Sequence, residues 1–223
     1  MPLRCYRFAH AISGFFEFPT ENARALLPKP FEPVELHHGS SVLSATVFDF
    51  VASEVGAYRE LVLSVVVMPL LRPGGQLPKS ALYPYLLATN TRASREHAID
   101  VWKLPHWMED AEIGLDRNEG RITSRISVNG APVADLSVSE HSWKSVNHLY
   151  QSFMREGDER FVADITMEGH QSEHEDEAGN LKLYDHPMHG SISRSDVSDV
   201  PFREVWMRDG LQTFQDLARL SQA

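Results

Sequence analysis

Cysteine is almost missing from this chain of 223 residues; Cys5 is the only one. A single thiol excludes an internal disulfide and a zinc site built from several cysteines, and it fits a reducing cytoplasm. Basic residues are scarce as well. Lys and Arg number 21 against 31 Asp and Glu, a formal net charge of -10. A field of that sign repels phosphate backbones, so no nucleic-acid partner is expected. Long apolar runs are also lacking. The most apolar, Leu61 to Leu71, is too short to span a bilayer and is broken by Pro69, so no membrane partner is expected. Met1 to Ala11 lacks the apolar centre of a signal peptide. Neither an internal repeat nor a low-complexity linker divides the chain. Its 42% hydrophobic content suits one domain over residues 1–223.

What is present reads mainly as strand. Cys5 to Phe18 mixes aromatics with small residues. Thr20 stands as the N-cap of a short helix, Glu21 to Leu27, stopped by Pro28 and Pro30. Ser41 to Ala52 alternates in part, and Tyr58 to Met68 is nearly continuous apolar, as in a strand buried on both faces. Arg72-Pro73-Gly74-Gly75 is a turn signal before a returning strand, Ala81 to Ala88. Thr91 to Ile99 reads as helix. Trp107 to Asp116, Arg121 to Val128 and Pro132 to Glu140 read as strands, the last two joined by a type I′ signal, Asn129-Gly130. Ser142 to Glu156 is ambiguous. Phe161 to Glu168 and Leu181 to Tyr184 are expected to form a hairpin around the acidic tip Glu173 to Asn180. Phe202 to Met207 is a final strand. Leu211 to Leu220 carries Leu211, Phe214, Leu217 and Ala218 on one helical face. Many strands with few short helices predict a curved antiparallel sheet or barrel.

The chain centres on Val101-Trp102-Lys103-Leu104-Pro105-His106-Trp107, read as a pocket floor. With other stretches it resembles the acetoacetate decarboxylase superfamily. Pro28-Lys29-Pro30-Phe31-Glu32-Pro33 is similar to that family's Val-Pro-Glu-Pro-Leu-Glu. Gly56-Ala57-Tyr58-Arg59-Glu60 is similar to its Gly-x-Tyr-x-Glu, whose Glu lines the active site. Trp102-Lys103-Leu104-Pro105-His106 is similar to its aromatic-Gly-aromatic-Pro-Lys. Leu183-Tyr184-Asp185-His186-Pro187-Met188 and Pro201-Phe202-Arg203-Glu204-Val205 resemble two late segments. The resemblance implies a closed antiparallel β-barrel or cone with a few short helices and a buried pocket. It also implies a homo-oligomer; the expected partner is a small-molecule substrate, handled without a cofactor.

One departure redirects the chemistry. The family's Schiff-base lysine follows the proline; here that residue is His106. An amine condenses with a ketone to an iminium, which accepts the electrons released on decarboxylation; an imidazole does not. The family's early arginine also has no counterpart near Ala9 and Ala11. His106 reads either as a general acid or base or as a histidine hydrogen-bonded in a pocket wall. Glu60 reads as a group that orients or protonates a carbonyl, or as a strand carboxylate paired with a neighbour. Lys103 reads as a displaced reactive amine, or as a solvated side chain. Tyr58, Trp102, Pro105 and Arg95 are candidate substrate contacts, against core or surface roles. His170-Gln171-Ser172-Glu173-His174 matches H-x-x-E-H, which binds zinc when helical; as the tip of a hairpin it is merely solvated. The expectation is a lyase-like enzyme for a small oxo or carboxylic acid working by acid–base chemistry, or else a binding protein that kept the pocket.

Overall fold

The computed structural model describes residues 3–190 and 192–220. Strand β1 (Arg4–Pro19) leads into helix α1 (Thr20–Leu26). Thr20 does not cap this helix; Pro19 occupies the cap, and the Thr20 hydroxyl pairs with Ser41 Oγ at 2.9 Å. There follow β2 (Glu35–His37), β3 (Ser40–Ala52), β4 (Tyr58–Val66) and β5 (Ser80–Thr89). Helix α2 (Arg92–Trp102) is capped by the side chain of Thr91, which accepts from Ser94 N. Strands β6 (Ala111–Asn118), β7 (Arg121–Val128) and β8 (Ala131–Ser139) form a meander. Asn129 and Gly130 both take positive φ between β7 and β8, as the Asn-Gly turn requires. The chain closes with β9 (Trp143–Glu156), β10 (Glu159–His174), β11 (Asn180–Leu183), β12 (Arg203–Phe214) and β13 (Ala218–Arg219).

Seven strands roll into a closed barrel in the order β1-β12-β10-β9-β5-β4-β3, with β3 returning to β1. Every seam is antiparallel except β5–β9, where Ser80–Leu82 run parallel to Tyr150–Ser152. A second antiparallel sheet, β11-β8-β7-β6, packs on one side. This layering explains why β3 and β4 carry apolar residues on both faces. Leu43, Ala45, Val47, Leu61, Leu63 and Val65 form one buried cluster with Ile113, Ile122, Ile126 and Leu136 of the second sheet. Phe48, Phe50 and Tyr58 point the other way and join Tyr6, Phe8 and Met207 in a separate inner cluster. Alternate residues of one strand therefore feed two cores.

Two expectations fail here for the same reason. Leu211 to Leu220 is not a helix. Strand β12 continues through Phe214, which is paired with Arg4 on one side and Ile165 on the other. A segment lying between two strands satisfies its backbone on both edges, and that outweighs a helical spacing of apolar residues. Likewise Phe161 to Glu168 does not form a hairpin with Leu181 to Tyr184. Strand β10 pairs along its length with β9 across a tight turn at Gly157-Asp158, and β11 pairs with β8 instead. The ambiguous Ser142 to Glu156 is the long strand that takes the expected partner's place.

Candidate active site

Inside the barrel lies a cavity of about 110 Å³. An engineered apolar cavity of roughly 150 Å³ holds benzene, so this one suits a ligand of a few heavy atoms. Period-2 alternation supplies its wall: Ala11, Ser13 and Phe15 from β1, Ser44, Thr46 and Phe48 from β3, Glu60, Val62 and Ser64 from β4. Most of the remaining wall is apolar, with Tyr150, Gln151 and Gln212 among the exceptions. Ser13 Oγ and Thr46 Oγ1 lie 2.9 Å apart and form a neutral hydroxyl stripe. Gln151 is spoken for: it bonds both N and O of Leu70 and the carboxylate of Asp164.

Glu60 is the one charged residue in the wall among the described residues. It is only 9% exposed, and no hydrogen bond or ion pair to its carboxyl is seen among those residues. Burial alone pushes its pKa up to about 8, because an ionised carboxylate in an apolar cavity is poorly solvated. At neutral pH it is a protonated acid.

No family model matches the chain, and no curated protein matches it by sequence. Solved structures do match by shape. Acetoacetate decarboxylase from Legionella pneumophila subsp. pneumophila str. Philadelphia 1 superposes with a TM-score of 0.67 at 14% identity, over 97% of this chain and 87% of that one. The enduracididine biosynthesis enzyme MppR, complexed with pyruvate, gives 0.64 at 12%, over 99% and 91%. An acetoacetate decarboxylase-like enzyme from Sphingomonas wittichii RW1 gives 0.62 at 12%, over 98% and 92%. The fold is that of acetoacetate decarboxylase.

On this decarboxylase fold the central stretch turns a corner rather than running straight into a strand. Lys103 caps α2 in the left-handed region (φ 57), and its ammonium lies 3.0 Å from Glu156, away from the cavity wall. Leu104 is the residue of this stretch that lines the cavity. Pro105 is exposed, and its carbonyl accepts from Leu87 N. His106 forms an isolated parallel bridge with Leu87. Its Nδ1–H donates to the Trp107 carbonyl at 2.5 Å, which leaves Nε2 a bare acceptor, buried and without a partner. Burial lowers its pKa, so the ring is neutral. His106 is not among the residues that line the cavity.

The candidate substrate contacts also lie outside the wall. Tyr58 packs on Phe50 at 4.8 Å. Trp102 stacks on Phe214 at 4.4 Å and donates Nε1–H to Tyr6 Oη at 2.8 Å. Arg95 does meet a carboxylate, that of Asp110. The zinc alternative lacks its helix: His170 and His174 lie on strand β10, where four residues span about 13 Å. His174 bonds Ser139, while Glu173 takes Lys79. Thus Glu60 and Leu104 come together at the cavity, and Lys103 and His106 stay outside its wall. The residues that sequence reading missed are Ser13, Ser44, Thr46 and Tyr150. The alternation of β3 carried the signal for two of them; Tyr150 was hidden in the ambiguous stretch.

A second buried carboxyl, Glu204, has the opposite surroundings. It accepts from Ser139 N and Ala178 N at 2.8 Å, from Gly179 N at 2.6 Å and from Ser139 Oγ at 3.2 Å. A Cβ on Gly179 would lie 2.7 Å from Glu204 Oε2, so only glycine fits there.

Proposed function

We propose that the chain is a lyase-like enzyme for a small oxo or carboxylic acid, with Glu60 as its acid and no Schiff base. The observation that carries this reading is a lone protonated carboxyl in a largely apolar cavity sized for a few heavy atoms. In such a site Glu60 donates its proton to a carbonyl oxygen as negative charge develops there. The carboxylate left behind is poorly solvated and takes the proton back. The Ser13–Thr46 hydroxyls orient the same oxygen. His106 serves as a positioning residue, since its bridge to Leu87 fixes Leu87 and Leu104 in the wall.

A specific observation favours a second reading, a binding protein without turnover: the cavity wall holds no lysine, arginine or histidine among the described residues. Acetoacetate and pyruvate, followed by ligand-observed NMR for binding and by product formation for turnover, separate the two. We expect turnover that declines as pH rises through about 8 and falls at least about 100-fold in Glu60→Gln. Binding without turnover would select the second reading, and absence of both would remove both. Borohydride is expected to trap no adduct; one at Lys103 would overturn the acid–base route.

A further inference from the structure

Outside the cavity wall, the barrel carries charge that the acid–base reading leaves unused. Residues paired across an antiparallel ladder share a face. Glu173 pairs with Val205 and Gln171 with Met207, and both partners line the cavity. Arg203 pairs with Phe15, which also lines it. Glu173, Gln171 and Arg203 therefore share the strand faces of cavity-lining residues, just beyond the cavity wall itself. Lys79 reaches Glu173 Oε2 at 2.6 Å, and Arg203 Nε lies 3.4 Å from Oε1. Gln171 Oε1 and His148 Nε2 are buried here, and these two side chains interact with each other. Burial pushes the Glu173 carboxyl up, but Lys79, Arg203 and Lys144 outweigh it and hold the group below the usual carboxylate range.

Directly outside lies a surface groove of about 230 Å³. Lys79 and Arg203 line it, between apolar walls that include Leu36 and Pro78. Phe15 belongs to the wall of both the groove and the inner cavity, and the Arg203 guanidinium sits 5.8 Å from its ring. One aromatic side chain and one ion-paired cluster thus stand between the two spaces. Lys79, Lys144 and Arg203 face the acids Glu173 and Glu175, with Glu175 exposed. On a chain of net charge -10 this is a local surplus of cations at a concave site.

We propose that this groove is the entry port of the barrel and a binding site for small carboxylates, held by Lys79 and Arg203 in competition with Glu173. The ligand class rests on the reading of the cavity given above; the cation pair and the shared Phe15 wall are separate observations. An arriving carboxylate exchanges with Glu173 for the two cations, and movement of Phe15 then opens the cavity.

Affinity for pyruvate, with uncharged methyl pyruvate alongside, tests the port by ligand-observed NMR on the full chain. Lys79→Met and Arg203→Met are expected to weaken pyruvate about tenfold or more and methyl pyruvate less than about twofold, for loss of one desolvated ion pair. Glu173→Gln is expected to tighten pyruvate, because the competing carboxylate is gone. Lys79→Arg, which keeps the charge, is expected to restore most of the affinity and guards against a folding artefact. Equal effects of the Met variants on both probes, or no pyruvate binding to the wild type, would overturn the port. Weakening by Glu60→Gln with both Met variants silent would remove the port and leave the cavity reading standing. The reverse pattern would keep the port and remove the role of Glu60.

Discussion

Glu60 and Glu204 are both buried carboxyls on barrel strands, and they could hardly be treated more differently. Glu204 is fully enclosed and surrounded by donors: two backbone N–H groups from residues 178 and 179, and the N–H and hydroxyl of Ser139. It ties β12, β8 and the turn before β11 together. Glu60 sits in a largely apolar wall, and no hydrogen bond to its carboxyl is seen among the described residues. Burial by itself therefore does not mark a reactive group. A carboxyl whose lone pairs are satisfied is part of the scaffold, whereas one left bare at a cavity is free to handle a proton.

The largest effect expected from this contrast is on stability. Glu204→Ala strands buried N–H donors and should cost about 4 kcal/mol in urea denaturation. A loss under about 1 kcal/mol would break the comparison on that side. Glu60→Gln should act through pH instead. A carboxyl whose folded pKa is raised to about 8 favours the fold while protonated. That contribution is complete below its unfolded value near 4.5 and is lost as pH rises through about 8. Integrated over the window it amounts to about 5 kcal/mol. Wild type should lose that much between pH 4 and 9, and Glu60→Gln should lack this part of the decline. Parallel curves would show that Glu60 is solvated after all. The smallest effect belongs to Lys103, whose partner Glu156 is exposed. Lys103→Ala should change stability by less than about 0.5 kcal/mol, as exposed ion pairs usually do.

The barrel was legible because period-2 alternation and turn chemistry are local signals. Asn129-Gly130 and the strand ends around Arg121 to Val128 turned out as read, whereas Thr91, read as the first helical residue, is the cap in front of a helix that runs on to Trp102. Glu60 was found through the motif around Tyr58, not through any property of its own. What failed was nonlocal. Leu211 to Phe214 looks helical until β1 and β10 are known to flank it, and the partner of β10 depends on reading β9 as a strand. The position of Lys103 depended on a single left-handed residue, which neither Trp102 nor Leu104 announces. The groove was invisible for a similar reason: Lys79, Glu173 and Arg203 are far apart in sequence and meet only when the sheet rolls up.

The rolled sheet is fastened at its parallel junction by three residue pairs, far fewer than any other seam of the ring. Helix α2 and strands β6, β7 and β8 of the second sheet intervene along the chain between the two sides of that junction. It is thus a nonlocal contact and the thinnest of the ring once made. Gln151 acts there as a clasp: it belongs to β9 and grips Leu70, in the loop leading to β5, by both backbone atoms. A side chain of the chamber wall thus reinforces the hoop at its weakest join, so the lining and the closure of the ring share a residue.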